Sequence, residues 1–160
     1  MRTLTTVGLA AIVGLAACAQ RPITVDTGTI DVMSWRGTLS RPATTDSSAA
    51  PMNIVGSATL RPASNPSESE TVVMVANATP NATHPWHIHA GTCGSGGGIV
   101  GPATAYKPLV IGADGTAEVT VRLPFSTPTQ GEFYVNVHKS PSELGVIVAC
   151  GPLSMRSGPM

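Results

Sequence analysis

The sequence predicts an all-β protein, a sandwich or a Greek-key barrel. Three observations carry this expectation. Short apolar runs such as "TVVMVANAT" (71–79) and "GEFYVNVH" (131–138) are bounded by Gly, Pro, Asn and Ser clusters, as strands are. Glycine (17) and proline (14) recur along the whole chain. Turns therefore fall at roughly 10- to 20-residue intervals, the spacing of a many-stranded β domain. No segment sustains the apolar period of a helix, so no helix of any length is expected.

The elements follow in order. Residues 1–18 read as a targeting segment: Arg2 supplies the positive start, and "LTTVGLAAIVGLAA" an apolar stretch too short for a membrane span. It ends in Leu15-Ala16-Ala17-Cys18, which looks like a bacterial lipoprotein processing box. Cleavage there leaves Cys18 first in the chain, lipidated on sulfur. The protein is then exported and anchored in the cell envelope, in the periplasm or outer membrane of a Gram-negative cell. An ordinary secretory signal is the alternative. Residues 19–50 form a tether and a candidate first strand (29–40). The barrel domain spans 51–155, with strands at 52–62, 71–79, 108–111, 117–124, 131–138 and 146–153. "GTCGSGGGIVGPATAYKP" (91–108) is a glycine-rich loop, and "GADGT" (112–116) a tight turn. Met33, Met52 and Met74 are not clustered and are expected to fill the core.

Charged residues make up 11% of the chain, and its formal net charge is zero. No Lys/Arg cluster exists to neutralise phosphates, which excludes nucleic acid as a partner. Of three cysteines, Cys18 is taken by the processing box. Cys93 and Cys150 remain, and in an oxidising compartment they are expected to pair. Chain entropy credits such a bridge with about 4 kcal/mol. A pair of free thiols is the alternative.

The stretch "HPWHIHAGTC" (84–93) holds three of the four histidines. In an extended "WHIH" segment, residues i and i+2 face the same side. His87 and His89 then present two imidazoles on one face, with Cα atoms about 7 Å apart. Imidazole suits copper, zinc, nickel and iron. A lone His-x-His pair is a weak signal. His138 strengthens it, because it ends a strand twelve residues before Cys150. A Cys93–Cys150 bridge would hold His138 near the other two. His84 follows a turn, and a structural role suits it better than ligation.

These residues resemble a known family. "HPWHIHAGTC" is similar to the "H-G-F-H-x-H…C" segment of copper/zinc superoxide dismutases. "YVNVHKSPSELG" resembles their "V-V-H…D-D-L-G", "GADGTAEVTV" the turn and strand between, and "VACGPL" their last strand. The resemblance covers about residues 52–153. It implies an eight-stranded Greek-key barrel, copper ligation by His87, His89 and His138, a structural His84 and a Cys93–Cys150 disulfide. The chain also departs from the family. Its loop "GSGGGIVGPATAYKPLVIG" has no histidine, so zinc is not expected, and Asp114 belongs to a later turn. Where the family guides superoxide with an arginine stands Ile147, with Lys139 as a candidate substitute cation. "HIHAG…GGGIVGPAT" and "FYVNVHKS" also resemble CHRD domains, which generally lack the cysteine pair.

The expected function is a copper-binding, superoxide dismutase-like envelope lipoprotein with one copper ion. Its partners are copper ions or superoxide, and the membrane through Cys18; no catalytic side chain is singled out. Copper capture without turnover, and a purely structural CHRD-like domain, are the alternatives.

Overall fold

The computed structural model describes residues 31–42 and 53–159. The targeting segment, Cys18, the tether and Met52 lie outside the described residues. Among the described residues nine strands follow in order: β1 (Asp31–Leu39), β2 (Val55–Pro62), β3 (Ser69–Ala76), β4 (Thr83–His84), β5 (Trp86–Ala90), β6 (Leu109–Val110), β7 (Ala117–Leu123), β8 (Phe133–His138) and β9 (Ile147–Pro159). One 3-10 turn, Ala103–Ala105, is the only helical element among the described residues. No described helix is long and apolar enough to cross a membrane.

Seven strands form one antiparallel sheet in the order β5-β8-β9-β1-β2-β3-β7, and β4 pairs with β6. The sheet curls into a half-barrel because β9 serves two ladders. Its first half pairs with β8, from His138↔Ile147 to Phe133↔Leu153. Its second half pairs with β1, from Arg36↔Ser154 to Asp31↔Pro159. This second half runs past the end expected from the sequence, Leu153. "SMRSGP" carries little apolar pattern, and the β1 ladder makes it a strand. The early segment around Trp35 is thus an interior strand of the sheet.

The inward faces follow the period of two that strands impose. On β3, Val73 and Val75 are buried while Met74 between them is 48% exposed. Met33 is 50% exposed as well, so neither methionine fills the core as expected. Both stand at positions that the pleat turns outward. The core joins Leu39, Leu60, Val73, Trp86, Ile88, Leu109, Leu123, Val135 and Val137, all fully buried. Each contributes about 1.5–3 kcal/mol of burial. Trp86 places its indole N–H on the Lys107 carbonyl at 2.8 Å, and Trp35 reaches the Pro128 carbonyl at 2.7 Å. Both buried donors are satisfied, as burial requires.

The joint between the two halves of the sheet depends on close backbone approach. A Cβ at Gly151 would collide with the Thr38 carbonyl oxygen, and one at Gly37 with that of Pro152. Just beyond, Ser40 and Cys150 exchange backbone hydrogen bonds of 3.0 and 2.8 Å. Gly151→Ala is therefore expected to push β1 from β9 and to cost about 1–3 kcal/mol, the usual range for overpacking. Urea unfolding of the disulfide-intact protein measures it; an unchanged midpoint would contradict the close approach.

Candidate metal centre

The site is built on the outer face of β5 and β8. Trp86 and Ile88 are fully buried, so His87 and His89 point the other way. Val135 and Val137 face inward likewise, which turns Tyr134, Asn136 and His138 to the same outer side. The ladder sets His89 against Tyr134 and His87 against Asn136. His138 lies one diagonal step from His87, within reach of a long side chain. One ring nitrogen of each of His87, His89 and His138 lies within 4.8 Å of the others. This set can hold a metal ion. Two ligand atoms on bonds of about 2 Å are at most about 4 Å apart, so the set must draw in slightly to close on an ion.

Backbone carbonyls fix the ring protons. His89 Nδ1 lies 2.8 Å from the Gly97 oxygen, and His138 Nδ1 lies 2.6 Å from the Leu144 oxygen. A carbonyl only accepts, so both Nδ1 atoms carry hydrogen. Nε2 of each ring is then bare and available to a metal. The Nε2 of His89 is buried without any hydrogen-bond partner. His87 Nδ1 lies 3.0 Å from His138 Nε2 and donates to it. His87 alone must therefore change tautomer before Nδ1 can act as a ligand.

The surroundings hold the rings in place. Tyr134 stacks on His89 at 5.2 Å with planes 21° apart. Tyr106 meets His87 edge-on at 5.2 Å and donates its hydroxyl to the Val100 carbonyl at 2.6 Å. His84 is buried (1% exposed), and its Nδ1–H donates to the His138 carbonyl at 2.9 Å. His84 thus holds the backbone of His138 and is not among the three converging rings. The Lys139 N–H bonds the Val146 carbonyl at 2.8 Å, closing the turn that presents the Leu144 carbonyl. Lys139 was the candidate substitute cation. Its ammonium is instead paired with Glu143 at 2.8 Å, in that same turn. Asp114 caps its own turn by accepting from Thr116.

Cys93 and Cys150 form a disulfide with Cα atoms 6.1 Å apart and a sequence separation of 57. It ties the glycine-rich loop to β9. The loop also bonds the β5 backbone, with Ala90 N–H to Gly98 O at 3.0 Å and Val100 N–H to Ile88 O at 2.9 Å. These bonds deliver the Gly97 carbonyl to His89. A cavity of about 850 Å³ opens over His89 and His138, walled by this loop, the disulfide, the Leu144–Ile147 turn and the end of β1. Ile147 and Arg41 both line it.

Burial pushes His87 down to about 4, helped by repulsion from His138 and His89. Burial also lowers His138, against the opposing bond to Leu144. Both rings are therefore neutral at pH 7, the form that binds metal.

Sequence reasoning brought the three ligand candidates together. It missed Tyr134 and Asn136, although both share the period-two parity of His138 in "YVNVH". It missed Arg41 for lack of any local signal. No protein-family model matches this chain, and no curated protein matches it either. The site is read from its own atoms.

Two outcomes are expected. The first concerns pH. Between the ordinary histidine value of 6.5 and about 4, the unfolded chain takes up a proton at His87 that the folded chain refuses. Stability of the metal-free protein is thus full above pH 6.5 and is lost as pH falls through about 4. NMR titration of the imidazoles should find His87 still neutral at pH 6. The second concerns the bridge. Cys93→Ala with Cys150→Ala should cost about 4 kcal/mol of stability and weaken metal binding by freeing the Gly97 carbonyl. Thermal unfolding and metal titration check both effects.

Proposed function

We propose that the chain is an exported copper-binding protein of the superoxide dismutase-like kind, holding one copper ion on His87, His89 and His138. The observation that carries this reading is the His89 Nε2, buried without a partner among two other neutral imidazoles. An orphaned buried acceptor costs about 1–3 kcal/mol, and a metal would relieve it. Three imidazoles with no thiolate or carboxylate favour copper among divalent ions by the usual affinity order. Zinc in the family's manner has no ligands in the glycine-rich loop.

The strand order supports the Greek-key reading. Its crossovers are of the kind such a barrel uses: β3 neighbours β7 and not β4, and β5 neighbours β8 and not β6. The disulfide supports an oxidising compartment, in keeping with export and a lipid anchor at Cys18.

Copper supplies the one-electron cycling by which two superoxide ions and two protons become dioxygen and hydrogen peroxide. The chain would hold the ion through His87, His89 and His138, orients two of these rings with carbonyls, and leaves a cavity over the site for the substrate. Ile147 contributes no charge at the place of the family's arginine, so dismutation is expected to be slow. A second reading, copper capture without turnover, is favoured by the place of Lys139, which is paired with Glu143 and is not among the residues that line the cavity.

Metal analysis of the disulfide-intact protein should find one copper per chain, with imidazole nitrogen couplings in the Cu(II) spectrum. His138→Ala should weaken copper by more than ~100-fold, beyond the loss of a group that only hydrogen-bonds a ligand. Copper affinity weaker than micromolar would end the metal reading. Dismutation above that of free copper and of His138→Ala separates enzyme from capture module.

A further inference from the structure

A second cavity, of about 640 Å³, runs along the outer face of β1, β2 and β9 and shares no residue with the one over His89 and His138. Its volume is within the range of small-molecule pockets. The pleat builds it. Trp35 and Leu39 are buried, so Arg36 and Thr38 of β1 point outward. The ladders set Thr59 and Ser154 on either side of Arg36, Ser57 beside Thr38, and Arg156 beside Ser34. Thr38, Ser57, Thr59 and Ser154 thus pave the groove with hydroxyls, and Arg36 and Arg156 charge it. Among the described lining residues there is no carboxylate and no aromatic ring.

The sequence holds no Lys/Arg cluster, and the β1–β9 ladder makes one. Arg36 and Arg156 are diagonal neighbours on adjacent strands, a separation that long side chains span. The Arg36 arm is fixed on the β9 side. Its Nε–H donates to Ser34 Oγ at 3.1 Å, and a Cβ at Gly158 would lie 3.2 Å from its Nη2. Ser34 in turn faces Arg156 across the ladder. Two guanidiniums are therefore held on one patch, where like charges repel. Neither is in an ion pair among the described residues. Glu70, on the same face, is shared by Arg61 and Arg122 instead. The patch is a pre-set cation pair without a counter-charge.

We propose that this groove binds a sugar phosphate, with the phosphate monoester between Arg36 and Arg156 and the hydroxylated body over Thr38, Ser57, Thr59 and Ser154. A phosphate monoester carries about two negative charges at pH 7, which two guanidiniums balance, and the guanidinium fork matches its oxygens. Each floor hydroxyl both donates and accepts, as a polyol requires of its partner. The lack of an aromatic wall disfavours an apolar body. The site is separate from the histidines and does not rest on the copper reading.

The test uses inositol monophosphate as the probe, with inositol and inorganic phosphate as comparisons. Calorimetric titration of the metal-free, disulfide-intact protein at low ionic strength should show saturable binding of the probe, tighter than either comparison. Added salt should weaken it, as it screens exposed charges. Arg36→Gln and Arg156→Gln, both at exposed positions, should each weaken binding at least about tenfold, the least that hydrogen bonds to a charged group are worth. Arg122→Gln, on the same face but outside the groove, should leave it unchanged. An unaltered thermal midpoint verifies that each variant keeps the fold. No saturable binding, equal binding of inositol or of inorganic phosphate, or equal losses in Arg122→Gln and the two groove variants would overturn the proposal. Copper titration of the groove variants should match that of the parent chain, so either proposal can fail without the other.

Discussion

The antiparallel pairing of β5 with β8 is the constraint on which the rest depends. Two apolar pairs, Trp86 with Ile88 and Val135 with Val137, fill the core from the two strands. The pleat then leaves one direction for the residues between them. A slip of one residue would turn a whole strand over. It would bury imidazoles against Leu and Val side chains and expose Trp86, at a cost of several side-chain burials. Hydrophobic packing on the inside therefore enforces the arrangement of histidines on the outside.

Three segments remote in sequence then convert a cluster of rings into an oriented set. The glycine-rich loop brings the Gly97 carbonyl, the turn after β8 brings the Leu144 carbonyl, and β4 brings His84 to the back of His138. Each contact removes a choice of tautomer or a rotation. The disulfide secures the first of these segments to β9. Burial, helped by repulsion between the rings, keeps His87 neutral well below pH 7, and burial lowers His138 as well. The proposed copper chemistry draws on this orientation.

Much of this was legible in the chain. The alternation in "TVVMV" and "YVNVH" marked strands. His87 and His89 shared a face by spacing, and the two cysteines suggested the staple. Other features were not legible, for identifiable reasons. Residues 154–159 carry only one large apolar side chain, Met155, which packs against the core, and backbone pairing with β1 defines the strand. Lys139 looked free because its partner, Glu143, becomes a neighbour only when the turn closes. Met33 and Met74 looked like core residues by composition, while the pleat decided their side.

Local pattern by itself determined the β class, the strand positions near the centre and the common face of His87 and His89. These follow from a period of two residues, which any strand obeys. Only the tertiary structure decided that His138 joins them, that two carbonyls set their tautomers, and that Arg41 and Asn136 meet in one cavity. The first depends on segments far apart in sequence, since His87 and His138 are 51 positions apart. Arg41 and His138 likewise come from opposite ends of the domain to line one cavity. The two carbonyls lie only 8 and 6 positions from their rings, but reach them through a loop and a turn that the fold closes. No local periodicity encodes such distances, because they are set by which strands pair and where the sheet curls.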